Sequence, residues 1–284
     1  MRVLVTGANG YLGRGVVEAL LNKGVNVIAT DRLIDRIDTR AIRIQADIFT
    51  VENPYDYFYK PDILLHMAWR DGFKHYSESH IEDLFKHFTF IKTLLENGVS
   101  QFIGMGSMHE IGFFEGSIDE STPCNPITPY GIGKNTLREL TELLCNQKNI
   151  IFQWLRGFYI VSNDSIGNSI FSKIIQATQK NQLTFPFTLG QNQYDFIDYD
   201  VFCEQVSQVV IQKKVQGIIN ICSGYPEKLS DRVERFIKEN NLNIVLEYGK
   251  FPDRPYDSKA LWGNNEKINY ILKNQIMRDN SEEE

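Results

Sequence analysis

Tyr130 and Lys134 stand four residues apart in the segment TPYGIGK, where a run with helical periodicity begins. On a helix that spacing brings a phenol and an ammonium to one face, one turn apart. A cation beside a phenol stabilises the phenolate and is expected to lower its pKa from about 10 towards the working range. Such a phenol can donate or accept the proton that accompanies a hydride transfer. Ser107, in GMGSMHEIG, adds a hydroxyl able to hold the same carbonyl or alcohol oxygen. Singly, each residue also suits packing, a solvated surface or a turn. Their order along the chain is what joins them.

Hydride chemistry needs a redox partner, and the front of the chain offers a place for one. In VTGANGYLGRGVVEALLNKG, Gly7, Gly10 and Gly13 recur at three-residue intervals between an apolar run and a helical run. Glycines there let the backbone turn sharply and approach a pyrophosphate, whose charge meets the amides of the following helix. Asn9, Tyr11 and Leu12 complete the expected cofactor-binding loop. The next apolar run ends in Asp31, whose carboxylate can accept from both ribose hydroxyls of an adenosine and repel a 2′-phosphate. Arg32 follows and can meet a 2′-phosphate or the adenine face. NAD(H) is therefore favoured, with NADP(H) as the alternative.

These groups need a frame. The runs 2–6, 25–30, 41–46, 62–67, 101–106 and 150–156 read as strands, apolar on both faces. Helical patterns over 11–23, about 78–97 and 128–147 separate several of them. That alternation predicts an α/β fold, a doubly wound parallel (Rossmann) sheet covered by helices on both sides. The second half is less regular: helices over 167–180, 201–212 and 228–240, an extended 194–200, strands at 217–222 and 243–249, and a short helix at 265–273. We divide the chain into a dinucleotide-binding domain, 1–160, with its sheet edge completed by about 195–222, and a smaller, interleaved C-terminal substrate-binding lobe, 161–284. A substrate cleft is expected over the carboxyl ends of the strands.

Composition narrows the function further. The 284 residues carry a net charge of −6, without a Lys/Arg-rich block, which argues against nucleic acid as a partner. No apolar run of about 18 residues suggests a membrane span, and no charged-then-apolar leader precedes MRVLVTG, so the expected compartment is the cytoplasm. Cys124, Cys145, Cys203 and Cys222 are scattered and read as small buried or partly buried residues. His75, His80 and His87, with Glu78 and Glu82, lack the tight spacing of metal ligands and read as a solvated helix face; no metal is expected.

The loop, the acidic ribose reader, the serine and the Tyr/Lys pair together resemble the extended short-chain dehydrogenase/reductase family, its nucleotide-sugar epimerase/dehydratase group. TGANGYLG matches the family's TGxxGxxG loop, HMA its H-[LV]-A strand end, and GSMHEIG its serine segment. LRGFYIV, YDFIDYDV, INICSG and DRPYD resemble later family segments, so the likeness covers most of the chain. The resemblance implies catalytic roles for Ser107, Tyr130 and Lys134, with the latter two also touching the cofactor. It implies cofactor contacts for Asp47, Ile48, Met67 and Ala68, and a homodimer through the helices near 78–97 and 128–147.

Dehydratases of this group carry an Asp-Glu pair directly after the catalytic Ser/Thr. Here Met108 and His109 occupy those positions, and Met cannot transfer a proton, which argues against water elimination. Both are candidate substrate contacts. The family's Asn in the LRxxNVYG segment is missing near Phe158, and its pyrophosphate-binding Arg is Tyr194 here. Arg254 is then the candidate for the substrate diphosphate, as a planar bidentate donor. The resemblance implies reduction of the 4-keto group of a nucleotide-activated 4-keto-6-deoxyhexose, in deoxysugar synthesis for surface polysaccharide. A 4-epimerase retaining its NAD is the alternative. A non-catalytic dinucleotide sensor is a third reading, disfavoured because such proteins typically lose the Tyr or Lys.

Overall fold

Val3 and Val5 of the first strand face one apolar layer and Leu4 faces another, all fully buried. A strand buried on both faces belongs inside a parallel sheet, and the computed structural model shows one. It describes residues 1–162, 164, 165, 167, 169–252 and 258–282, the last eight as backbone. In chain order the strands are β1 Arg2–Thr6, β2 Asn26–Asp31, β3 Ile42–Gln45, β4 Ile63–His66, β5 Gln101–Ser107, β6 Gly116–Ile118, β7 Ile151–Gly157, β8 Tyr159–Val161, β9 Thr184–Pro186, β10 Gln193–Asp198, β11 Gly217–Ile221, β12 Pro226–Lys228, β13 Val245–Glu247 and β14 Ala260–Gly263. The helices are α1 Tyr11–Asn22, α2 Pro54–Tyr57, α3 Ser79–Glu82, α4 Leu84–Asn97, α5 Pro129–Lys148, α6 Ile170–Gln179, α7 Tyr199–Ile211, α8 Leu229–Glu239 and α9 Glu266–Glu282.

The main sheet runs β11-β7-β5-β4-β1-β2-β3, and every pairing in it is parallel. Strand order reverses between β1 and β4. Ligands of doubly wound sheets sit at such a switch point, beyond the strands' carboxyl ends. Residues of α1 and α7 fill one face, those of α4 and α5 the other.

β11 alone closes the sheet edge, whereas residues 193–198 pair in a second sheet, β12-β10-β14-β6, with β8 beside β10. Phe171, Phe196, Val233 and Phe236 give that lobe its own core. The expected helix over 78–97 is interrupted at Asp83, whose carboxylate is held by Arg70 Nε and Lys86 Nζ, each at 2.9 Å. The final helix is longer than expected. Cys145, Cys203 and Cys222 are buried and Cys124 is partly buried, as free thiols.

Candidate active site

The glycine loop begins where β1 ends. Gly7 has φ +69°, and a Cβ there would lie 2.7 Å from the amide nitrogen of Ala68. A side chain would thus force the loop off the end of β4. At Gly13 a Cβ would lie 2.1 Å from the Gly7 carbonyl oxygen, so the helix can sit against the loop only without one. At Gly10 the same oxygen lies 3.1 Å away and no second atom is near. Tyr11, Leu12 and Gly13 form the first turn of α1, whose amides lack carbonyl partners within the helix. Bare backbone, open at Gly10 and ending in free amides, fits a pyrophosphate.

Asp31 closes the adenosine side. Its carboxylate accepts the Asn9 amide at 3.0 Å and the Arg32 amide at 2.7 Å. A carboxylate has about four acceptor sites, so two stay available for a ribose. Asn9 also ties the loop to the segment after β2, donating to Asp35 at 3.0 Å and accepting from the Arg36 amide at 2.8 Å. Arg32 Nη2 pairs with Asp47 at 3.1 Å. Ile48 and Ala68 lie in or against the core under α4 and α5, Met67 and Leu12 against the opposite core. These residues fit a dinucleotide with a free 2′-hydroxyl better than one bearing a phosphate.

Ser107 ends β5 and caps the short 3₁₀ turn Met108–Glu110. Its Oγ accepts the His109 amide at 3.3 Å, and Glu110 returns the contact by accepting the Ser107 amide at 2.7 Å. That reciprocal pair is a capping box, spelled Ser-x-x-Glu in the sequence. Glu110 also accepts from Trp154 Nε1 at 3.0 Å and lies 3.6 Å from Arg156 Nε, both charges fully buried. Arg156 reaches on to the Asp119 carbonyl at 3.1 Å.

Tyr130 and Lys134 rise on α5, which Thr128 caps by accepting the Gly131 amide at 3.2 Å, with Pro129 in the first turn. The Tyr130 amide donates to the His75 carbonyl at 3.0 Å. The Ser107 side chain acts on its phenol, so the two groups singled out from the sequence come together. The expected drop in phenol pKa does not occur. Burial pushes Tyr130 up to about 12, the Ser107 side chain opposes the rise and the Glu110 charge adds to it. Lys134 Nζ instead donates to the Met105 carbonyl at 2.7 Å and lies 4.0 Å from the centre of the Trp69 ring. Burial brings that ammonium down to about 7, with Glu110 opposing the fall.

All five histidines of the chain gather here. His75 stacks on Tyr130 with ring centres 5.0 Å apart, and His109 lies 5.9 Å from Tyr130 and 4.3 Å from His75. His80 and His87 are buried rather than solvated. Trp69 Nε1 donates to His80 Nδ1 at 3.0 Å, and His87 stacks on Trp69 at 4.8 Å. His66 and His87 share a ring-nitrogen hydrogen bond of 2.9 Å, and His66 shares another with the Thr6 hydroxyl. Met108, placed among the substrate contacts from the sequence, is instead buried with Ile111, Ile118 and Phe158. Arg254 lies outside the described residues. Trp69, Glu110 and Arg156 escaped the sequence reading. The capping-box spacing could have flagged Glu110; nothing local marks the others.

The arrangement is compatible with proton transfer beside a bound dinucleotide, and the comparisons supply the family. Residues 3–222 match the model of the NAD dependent epimerase/dehydratase family. The chain is 41% identical, over 93% of its length and 99% of the relative's, to a protein of Aggregatibacter actinomycetemcomitans named dTDP-6-deoxy-L-talose 4-dehydrogenase (NAD(+)). A CDP-abequose synthase of Yersinia pseudotuberculosis is 24% identical over 86% of this chain and 87% of its own. Among solved structures, the UDP-glucuronic acid 4-epimerase of Bacillus cereus, in complex with UDP-glucuronic acid and NAD, superposes with a TM-score of 0.80. It is 21% identical, covers 96% of this chain and 93% of its own, and shows a shared fold. By fold, loop and family match, the chain belongs to the NAD-dependent epimerase/dehydratase family.

Proposed function

We propose that the chain is an NAD(H)-dependent 4-oxidoreductase of a nucleotide-activated 6-deoxyhexose, acting as reductase of the 4-keto sugar. The observation that carries this reading is the placement of Ser107 at the carboxyl end of β5, where it acts on the Tyr130 phenol, with Lys134 one helical turn along. NADH, when bound, supplies the hydride that adds to C4. Tyr130 gives its hydroxyl proton to the sugar O4, and Ser107 holds that oxygen. The protonated phenol is the form that gives a proton to O4 in reduction, and its conjugate base takes one back in oxidation. The name of the 41% identical relative supports C4 of a 6-deoxyhexose as the reacting centre; oxidation is the same transfer reversed. Met108 is buried and has no proton to move, so it offers nothing to a dehydration. His109, beside Tyr130, is the residue we assign to the sugar.

Purified protein mixed with NADH and a panel of nucleotide-linked 4-keto-6-deoxyhexoses tests this at the nicotinamide absorbance. One sugar should be consumed mole for mole with NADH. Interconversion of C4 epimers without net NADH loss would overturn the reading in favour of an epimerase.

Cofactor choice should follow the pair at the end of β2. Asp47 holds Arg32 by an exposed ion pair, a contact worth about 0–1 kcal/mol. Asp47→Asn releases the guanidinium for a 2′-phosphate. The NADPH/NADH ratio of kcat/KM is expected to rise by up to about fivefold, the equivalent of 1 kcal/mol. A ratio that stays put assigns the discrimination to Asp31 alone.

We also infer a homodimer through α4 and α5. Phe85 on α4 is 75% exposed and Leu143 on α5 is 57% exposed, large apolar groups on adjoining helices. Light scattering should return about twice 32.8 kDa; a monomer mass would contradict it.

A further inference from the structure

The buried ammonium of Lys134 sits 4.0 Å from the centre of the Trp69 ring, and its hydrogen bond goes to a neutral carbonyl, Met105 O at 2.7 Å. The charges and titratable groups around it come from several elements. Glu110 follows β5, His66 ends β4, His87 is on α4, His80 is on α3, and Tyr130 is on the same helix. Glu110 is itself tied to Arg156 and Trp154. Trp69 is the group with an electron-rich face at contact distance.

That ring is held from two sides. Its indole N–H donates to His80 Nδ1, and since indole nitrogen is a donor only, His80 must carry its proton on Nε2, 3.0 Å from the Lys74 carbonyl. His87 stacks on the indole at an interplanar angle of 11°. Burial and the Lys134 charge together bring His87 down to about 3 and His66 well below its ordinary value. The stacked imidazole therefore stays neutral and adds no competing cation.

We propose that Trp69 is a positioning residue of the site: its face holds and stabilises the Lys134 ammonium, and His80 and His87 fix the plane of that face. This rests on the reading that Tyr130 and Lys134 carry the redox step, and it adds a residue outside the recognisable motif. Loss of the face should make Lys134 give up its proton at lower pH, because a desolvated cation loses its attractive quadrupole.

The test reads Lys134 directly, without turnover. Protein labelled at lysine Nζ is titrated by NMR, with the Lys134 resonance identified by its loss in Lys134→Ala. Trp69→Met, which fills the space without a π face, should lower the midpoint by about one pH unit, a tenfold change in ionisation. Trp69→Phe should restore most of it. Trp69 replaced site-specifically by ring-fluorinated tryptophans keeps the shape and weakens the face, and should lower the midpoint stepwise with fluorine number. That series decides the matter if Trp69→Met does not fold. A midpoint unmoved by fluorination, or raised in Trp69→Met, would overturn the role of Trp69 while leaving the reductase reading to its own assay. A shifted midpoint in a protein that reduces no sugar would do the reverse.

Discussion

Replacing Tyr130 by Phe is expected to lower kcat by about 10²–10⁴-fold, the usual contribution of a positioned proton donor. NADH affinity should move little, because the ring still stacks on His75 and the glycine loop is untouched. Ser107 survives in that variant, so substrate binding should survive as well. Steady-state rates and a fluorescence titration with NADH check both halves. Near-normal turnover would remove Tyr130 from the chemistry. The pH dependence of the parent enzyme carries a sign that follows from the same two groups. Tyr130 is protonated up to about 12, whereas Lys134 loses its proton as pH rises through about 7. With the Lys134 cation assigned to the cofactor, reduction should decline on the alkaline side of about pH 7, well before the phenol ionises.

Arg156→Leu should be the most destabilising single change considered. Glu110 and Arg156 are both fully buried, and removing the cation leaves a carboxylate uncompensated beside Trp154 and Ser107. Breaking such a pair costs about 3–5 kcal/mol. At about 2–4 °C per kcal/mol for a chain of this order of size, the melting temperature should fall by about 10 °C. The double variant Glu110→Leu/Arg156→Leu should recover part of the loss, since the uncompensated carboxylate is gone. Melting curves decide it. An unchanged Tm in Arg156→Leu would mean that Glu110 holds no charge needing compensation.

The parts legible in the sequence are those where local chemistry demands a residue type. Only glycine fits the approach of Gly7 to Ala68, and the Tyr130–Lys134 spacing holds on any helix. The parallel strands announced themselves because both faces are apolar. What escaped depends on partners distant in sequence. β6, β8 and β12 are three-residue strands created by pairing, with no periodicity to read. Residues 193–198 look like any buried strand, and nothing in them tells which sheet will take them. The histidines at 75, 80 and 87 read as a wet helix face because the packing of α3 and α4 under Trp69 is not a local property.

The missed sign of the Tyr130 shift has the same origin. Spacing tells which groups share a face, but not how much water remains around them or where a long ammonium turns. Lys134 turns to Met105 and Trp69, and the phenol is left to burial.

The most direct measurement follows a hydrogen isotope. NADH deuterated at the transferred position is supplied with the nucleotide-linked 4-keto-6-deoxyhexose that the enzyme consumes, and the product is read by mass spectrometry and NMR. The proposed reaction predicts one deuterium per molecule, at C4, matched by one NADH oxidised. A product without deuterium, or C4 epimers interchanged while the NADH persists, would contradict it.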